Sequence, residues 1–328
     1  MPGIATTSRL SLVAALAAMA GLEPAAGQDF PTRPLTLVIP FGAAGGVDVV
    51  GRILAARMSE LLGRNVVVEN VGGAGGMIGS ARIARAAPDG YQFVLGSVGS
   101  HAQNQTLYKN PLYNSATDFQ PLALVAEQPI VLAARKDYPA NNLAEFIAYA
   151  KANQSKLQYG SPGGGSSSHL ACALFNVAAG LKVAHIPYRT GATQDLIAGR
   201  TDYQCPTGAV AIPLAEGKLA KIVATLTRDR WPRLPDVPSA HEQGLTNFEA
   251  YIWYALFLPK GTPPAIVRRL HAAVVGAMDT PWVQAKLDGV GATVPAPARR
   301  SPEYLQTFLE AEIARWAGPI KAAGLAGQ

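Results

Sequence analysis

The stretch that decides the fold is "RPLTLVIPFGAAGGVDVVGRILAARMSELLG", residues 33–63. Its first part, "RPLTLVIPF" (33–41), is an almost continuous apolar run, which is typical of a strand buried on both faces of a parallel sheet. After a glycine-rich turn, apolar residues recur at helical spacing, and Gly63 supplies a C-terminal stop. The apolar helix face comprises Val49, Ile53, Leu54, Met58 and Leu61. The stretch therefore predicts a buried strand, a loop and an amphipathic helix.

The segments that follow continue this alternation. "NVVVEN" (65–70) and "YQFVLGSV" (91–98) are typical of strands, and a glycine loop with a short helix separates them. Parallel strands need crossover connections, and helices usually supply them. The β-α-β-α-β order therefore predicts a mainly parallel sheet with helices on both faces.

The same alternation begins again after about residue 128. An apolar run over residues 119–137 is broken by Pro129, and a second long apolar run, "FEAYIWYALFLPKGTP", covers residues 248–263. Both runs are candidates for crossings between two lobes, and 328 residues exceed what one hydrophobic core usually supports. We therefore predict a two-lobe α/β fold. Its domain 1 comprises residues 28–127 and 253–328, and its domain 2 comprises residues 128–252.

The first residues, "MPGIATTSRLSLVAALAAMAGLEPAAGQ", have the order of an export signal: one early cation (Arg9), an apolar stretch (10–22) and then small residues. We predict a signal peptide over residues 1–27, with a membrane-spanning anchor as the alternative. The net charge is +6, but the cationic residues are scattered, which argues against nucleic-acid binding.

Two cysteines, Cys172 and Cys205, follow the predicted signal peptide. An even number in an oxidising compartment permits one disulfide, and two buried free thiols are the alternative. We predict the disulfide, because Cys205 ends a strand that could run beneath the helix of Cys172. No cluster of Cys and His residues has the spacing of a metal site, so no metal and no cofactor are expected.

Each predicted lobe contains an apolar strand, a glycine-rich loop and a helix, in that order. The two loops are "VIPFGAAGGVD" (38–48) and "YGSPGGGSSSH" (159–169). Ligands of open α/β sheets gather at the carboxyl ends of the strands, where helix N-termini present free N–H groups and a positive dipole end. Two such loops across a cleft predict a site for an anion.

Residues in these loops also allow other interpretations. His169 could act as a base for Ser166 or Ser167, although a structural histidine at a helix N-terminus explains it as well. Asp48 and Asp195 could orient a water or a ligand group, or could cap their helices. The chain lacks the nucleophile-elbow, phosphate-loop, dinucleotide and zinc-protease motifs, so no catalytic residue is assigned.

Several stretches together resemble one family. They include "RPLTLVIPFGAAGGVDVVGR", "VVVENVGGAGGMIG", "APDGYQFVL", "YGSPGGGSSSHL", "HIPYRTGATQDLIAGRTDY", "LPDVPSAHEQG" and "LPKGTPPAIVRRL". In this order they resemble the Bug (TctC) family of periplasmic substrate-binding proteins of tripartite tricarboxylate transporters. The resemblance implies a Venus-flytrap fold of the type II-like periplasmic-binding-protein class. It also implies no catalytic activity and a ligand carboxylate held by the two glycine loops.

Residue by residue, the resemblance gives a candidate set of ligand-binding residues. These are Phe41, Ala43, Gly46, Asp48, Ser97, Ser161, Gly164, Ser166, Ser167, His169 and Asp195. The expected partners are a small carboxylate and membrane permease subunits, with the protein itself a monomer in the periplasm. A periplasmic sensor that binds the same ligand for a signalling receptor is the alternative, and a secreted serine hydrolase is a weaker one.

Overall fold

A computed structural model describes residues 30–246 and 248–327, so the predicted signal peptide, residues 1–27, lies outside the described residues. The strands are β1 (Leu35–Ile39), β2 (Val66–Asn70), β3 (Gln92–Ser97), β4 (Phe119–Pro129), β5 (Val131–Arg135), β6 (Gln158–Ser161), β7 (Ala184–Pro187), β8 (Tyr203–Gln204), β9 (Ala220–Thr225) and β10 (Tyr251–Pro259). Together they form two five-stranded sheets, one in each lobe.

Helices connect most of these strands. The α-helices are α1 (Gly46–Leu62), α2 (Met77–Ala84), α3 (Asn104–Leu107), α4 (Leu143–Asn153), α5 (Ser167–Ala179), α6 (Ala192–Ile197), α7 (Gly208–Glu216), α8 (Pro264–Met278), α9 (Pro281–Gly289) and α10 (Pro302–Ala322). Two short 3₁₀ turns (Ala74–Gly76 and Pro297–Arg299) and one π-helical turn (Val98–Gln103) complete the set. No helix among the described residues is both long and apolar enough to cross a membrane.

The first sheet has the strand order β2-β1-β3-β10-β4, and the second has the order β7-β6-β8-β5-β9. The predicted two-lobe α/β architecture is therefore present, but both sheets are mixed rather than mainly parallel. In the first sheet β1 pairs in parallel with β2 and β3, whereas β10 is antiparallel to both β3 and β4. The reason is that β10 enters the sheet beside the carboxyl end of β3, where Tyr254 pairs with Ser97, and so must run in the opposite direction.

The second sheet is mixed in the same way. Strand β6 is parallel to β7 and β8, whereas β5 is antiparallel to β8 and β9. Strand β4 ends at Pro129 and β5 begins at Val131, so the chain passes directly from one sheet into the other. It returns through the segment between β9 and β10. The predicted domain limits, 127/128 and 252/253, lie close to the ends of β4 and the start of β10 and stay a prediction.

Helix α1 shows how the opening stretch folds. Leu54 and Met58 are fully buried, as the helical spacing predicts, whereas Val49, Ile53 and Leu61 are half-buried. The other large apolar residues that the helix buries are Val47, Val50 and Leu62. The face that packs on the sheet is therefore rotated relative to the predicted apolar face. Gly63 ends the helix in the left-handed conformation, with φ of 66°.

Candidate ligand-binding site

Three helices begin where strands of the two sheets end. Helix α1 follows β1, α5 follows β6 and α7 follows β8, with Gly45, Ser166 and Thr207 as their respective N-cap residues. All three N-cap residues line one cavity of about 410 Å³. The first N–H groups of a helix have no partner within the helix, so three sets of donors and three positive dipole ends meet at this cavity.

Both lobes contribute to the lining of this cavity. The first lobe supplies residues 41–47, Ser97 and Ile252, and the second supplies residues 166–168, residues 188–194 and much of α7. The two sides approach each other closely at Gly46. A Cβ atom there would lie 2.3 Å from Thr207 Oγ1 and 2.9 Å from the Tyr254 hydroxyl oxygen. Any side chain at residue 46 would therefore push the two lobes apart.

The predicted site residues fall into two groups. Those that line the cavity are Phe41, Ala43, Gly46, Ser97, Ser166 and Ser167. Those that do not line it are Asp48, Ser161, Gly164, His169 and Asp195. Both glycine loops therefore line one cavity, while Asp48 and His169 accept hydrogen bonds from the backbone of those loops.

Asp48 organises the first glycine loop. Its carboxylate accepts hydrogen bonds from the Ala44 N–H, from Arg52 Nε and from Asn70 Nδ2, each 2.9 Å long. Burial by itself would raise the pKa of Asp48, but the hydrogen bonds from Arg52, Asn70 and Ala44 outweigh it and hold the pKa below its ordinary value. The bond to Ala44 supports an unusual backbone, because Ala44 has a φ of 63°.

The second glycine-rich loop, residues 159–169, is the serine loop, and hydrogen bonds from its own side chains stabilise it. Ser166 Oγ accepts a hydrogen bond from the His169 N–H (3.2 Å) and donates one to the Gly163 carbonyl (2.8 Å), as an N-cap residue does. His169 Nδ1 accepts a hydrogen bond from the Gly165 N–H (3.0 Å), so the ring nitrogen that faces the loop carries no proton. Burial lowers the pKa of His169 to about 4. The neutral imidazole is therefore part of the loop structure.

Ser161 belongs to a serine–histidine pair that the sequence analysis missed. Ser161 Oγ lies 2.7 Å from His185 Nε2, and the His185 ring stacks on that of His169 with centroids 3.9 Å apart. Burial, with a further contribution from His169, lowers the pKa of His185 to about 3. The parallel register of β6 and β7, in which Tyr159 faces His185, brings the pair together. The pair lies outside the cavity lining.

Asp195 lies on α6 and binds Arg200. Arg200 Nε donates a hydrogen bond of 2.8 Å to the carboxylate. This hydrogen bond, together with one from Tyr188, holds the pKa of Asp195 below its ordinary value. Tyr188 itself lines the cavity. Asp195 therefore does not line the cavity itself but binds Tyr188, which does.

The lining has a simple charge pattern. Arg189 is its one cationic residue, and none of the described lining residues is Asp, Glu or Lys. Thr207 Oγ1 is buried beside the cavity at the N-terminus of α7, where it makes no well-aligned hydrogen bond to a described residue and has the Tyr254 hydroxyl as a polar neighbour. No group of three or more His, Cys, Asp or Glu residues in the described parts of the chain could hold a metal. The arrangement suits an anion that accepts hydrogen bonds.

Thr207 and Arg189 were not selected from the sequence. A signal for Thr207 exists in "QCPTGAV", where a threonine stands between a strand and a helix, as N-cap residues do. Thr207 makes no side-chain cap hydrogen bond, however, so its hydroxyl is not committed to the helix backbone. Arg189 follows β7 in a loop, and its contribution depends on a fold that the local sequence does not specify.

Known proteins share the sequence pattern and the fold of this chain. Residues 50–325 match the family model described as the tripartite tricarboxylate transporter family receptor, TctC. The periplasmic binding protein BugD is 37% identical with a TM-score of 0.88, and the match covers 91% of this chain and 100% of BugD. MatC from Rhodopseudomonas palustris with bound malate is 37% identical with a TM-score of 0.86, over 89% of this chain and 100% of MatC.

A further solved structure, R. palustris Rpa4515 with adipate, is 35% identical with a TM-score of 0.86. The match covers 92% of this chain and 100% of that protein. The family model covers most of the chain, and the three structures share its fold over nearly their whole length. The chain therefore belongs to the tripartite tricarboxylate transporter receptor (TctC, or Bug) family of periplasmic solute-binding proteins.

Proposed function

We propose that this protein is exported to the periplasm and captures a small carboxylate in the cleft between its lobes. It then delivers the carboxylate to the membrane permease of a tripartite tricarboxylate transporter. The observation that carries the proposal is the meeting of three helix N-termini in a cavity whose described lining contains no acidic side chain. The protein binds its ligand as a monomer and without converting it.

The relatives support a carboxylate as the ligand. MatC was solved with malate and Rpa4515 with adipate, and both molecules carry carboxylates. A carboxylate offers acceptor oxygens to the free N–H groups and to the Thr207 and Ser167 hydroxyls, and hydrogen bonds to a charged group are worth roughly 1.5–3 kcal/mol each. Closure of the two lobes over the ligand would complete its coordination, as in periplasmic binding proteins generally.

The first test is a screen of mono-, di- and tricarboxylates by thermal unfolding and calorimetry. A ligand at about one hundred times its Kd is expected to stabilise the protein by roughly 2.7 kcal/mol. NMR spectra should show the same ligand after long incubation. Conversion of the ligand would contradict the absence of catalysis, and a lack of binding throughout the screen would contradict a carboxylate site.

A variant pair locates the site within the protein. Thr207→Val removes the hydroxyl at the N-terminus of α7 at similar volume and should weaken carboxylate binding about tenfold or more. Thr225→Val is the matched control, because Thr225 Oγ1 is also buried but lies outside the cavity lining. Equal affinities of the two variants would place the carboxylate elsewhere.

Delivery to a permease is tested in cells. Deletion of the gene should abolish uptake of the carboxylate identified in the screen, and expression of the intact chain should restore it. A chain without residues 1–27 should not restore uptake, because it would stay inside the cell. Normal uptake in the deletion strain would favour the sensor function over transport.

A further inference from the structure

One wall of the cavity is apolar and extends away from the helix N-termini. Helix α7 begins beside the N-cap residue Thr207, and its residues Val210, Pro213 and Leu214 continue the lining along the helix. Pro213 lies six residues after Thr207, which corresponds to about 9 Å of helix rise. The hydrogen-bonding groups and the apolar wall therefore occupy different parts of one cavity.

Two large aliphatic side chains complete this wall and remain exposed. Ile197, at the end of α6, is 41% exposed, and Leu219, just after α7, is 42% exposed. Both line the cavity. Single exposed aliphatic residues are ordinary on protein surfaces, but these two border the same cavity. A ligand that covered either side chain would be stabilised by roughly 25 cal/mol per Å² of apolar surface removed from water.

The distance along α7 limits which ligands can use both parts of the cavity. A four-carbon diacid contains three carbon–carbon bonds of about 1.5 Å, so its carbon chain extends less than ~4.6 Å. A carboxylate of this size held at the helix N-termini would not reach Pro213 and Leu219. An extended eight-carbon chain covers about 9 Å and would reach them.

We infer that the preferred ligand is a carboxylate with an apolar body of about six to eight carbons, which Ile197, Pro213 and Leu219 cover. The inference rests on the proposed function, since it assumes that the carboxylate lies at the helix N-termini. The apolar wall favours this body over short diacids, because a short diacid held at the helix N-termini would leave Pro213 and Leu219 uncovered.

The experiment measures chain-length dependence by calorimetry on the mature protein. The probes are butanoate, hexanoate and octanoate, with succinate and malate as short diacids. Each buried methylene contributes about 0.8 kcal/mol, so each step of two carbons is expected to tighten binding by roughly tenfold. Octanoate should then bind more tightly than either short diacid.

Variants separate the wall from the rest of the site. Leu219→Asn should weaken octanoate binding by about tenfold and leave succinate binding unchanged, and Leu219→Met should restore octanoate binding. Leu112→Asn is the control, because Leu112 is 47% exposed and lies outside the cavity lining. Both positions are exposed, so the variants are expected to fold, and thermal unfolding checks this.

The outcomes for the two proposals differ. If no probe binds and the wider carboxylate screen is also negative, the proposed function fails. If short diacids bind as tightly as octanoate, and Leu219→Asn has the same effect as Leu112→Asn, the inferred apolar ligand is wrong while the carboxylate site stands. The inference is supported if the affinity of the parent protein rises with the chain length of the probe and Leu219→Asn abolishes this rise.

Discussion

His169 stabilises the serine loop as a neutral acceptor. Its Nδ1 atom accepts the Gly165 N–H, and a proton added to that nitrogen would place two donors against each other. The neighbouring His185 ring, stacked at 3.9 Å, adds a second site whose charging would repel a charged His169. The loop geometry of the described structure therefore depends on uncharged histidines.

This arrangement predicts a pH-dependent stability. Burial lowers the pKa of His169 from 6.5 to about 4, so between these values the unfolded chain binds more protons than the folded one. The contribution of His169 is complete above about pH 6.5 and is lost as the pH falls towards 4. One such group gives a slope of at most about 1.4 kcal/mol per pH unit.

His169→Gln tests this prediction. The glutamine amide oxygen can still accept the Gly165 N–H but does not titrate, so the variant should lose less stability than the parent between pH 6.5 and 4.5. Urea unfolding at several pH values measures the two slopes. Carboxylate affinity at pH 7.5 should be nearly unchanged, because His169 does not line the cavity. Parallel pH curves would show that His169 does not couple to folding.

Individual glycines show how far the sequence specifies the site. The run of three glycines predicts a close backbone approach, but it does not indicate which glycine needs the left-handed region. The structure assigns positive φ to Gly163 (121°) and Gly165 (79°), whereas a Cβ at Gly164 would meet nothing within 4 Å. At Gly165 a Cβ would lie 2.6 Å from Asn104 Oδ1, an atom 61 residues earlier in the chain that local sequence cannot reveal.

The elements were easier to predict than their pairing. Apolar runs and helical spacing placed the strands and helices near the cavity, because burial determines those patterns locally. The antiparallel pairing of β10 with β3, and of β5 with β8, was not predicted, since it depends on how the chain crosses between the lobes. Helix α7 was also missed as a contributor to the site, because its short sequence has no apolar periodicity that distinguishes it from a loop.

A disulfide fastens two elements of the second lobe. Cys172 on α5 and Cys205 after β8 are bonded, and both residues are fully buried. Because the bond closes a loop over a sequence separation of 33 residues, the chain-entropy model gives a stabilisation of about 3–4 kcal/mol. The bond also ties the helix that begins at the serine loop to the strand that leads towards Thr207.

The double variant Cys172→Ala/Cys205→Ala should therefore lose about 3–4 kcal/mol of unfolding free energy. Its carboxylate affinity at 25 °C should stay within a few-fold of the parent, provided that the variant is folded, since neither cysteine lines the cavity. Urea unfolding gives the first value and calorimetry the second. Two free thiols in the denatured, unreduced parent would contradict the pairing.

At the scale of the whole molecule, the serine loop also joins the two lobes. Ser167 Oγ accepts the Gly99 N–H at 3.0 Å, and the Tyr108 hydroxyl donates to the Gly164 carbonyl at 3.1 Å. Gly99 and Tyr108 belong to the first lobe and lie 68 and 56 residues from their partners. Contacts at such separations leave no local pattern, so the sequence predicted two loops at a cleft without predicting that the second loop touches the segment after β3.

Ser167 lies where the contact between the lobes meets the cavity. Its oxygen accepts a hydrogen bond from the first lobe, while its own proton is free to be donated to a ligand in the cavity that it lines. With the ligand in this cavity, as proposed above, ligand binding and lobe contact would share one hydroxyl group. A ligand oxygen that accepts this proton would polarise the hydroxyl and strengthen the bond to Gly99.

Ser167→Ala should accordingly weaken both lobe contact and ligand binding. Loss of the bond leaves the buried Gly99 N–H without a partner, which costs about 1–3 kcal/mol. Separation of the two lobes would let water bind this N–H group and remove that cost. The ligand-free variant should therefore show a larger radius of gyration in solution scattering than the parent, with affinity lowered by about tenfold. Ser168→Ala is the control, because Ser168 lines the same cavity but is not the partner of Gly99. If both variants scatter like the parent and bind equally, the Ser167 hydroxyl does not couple closure to binding.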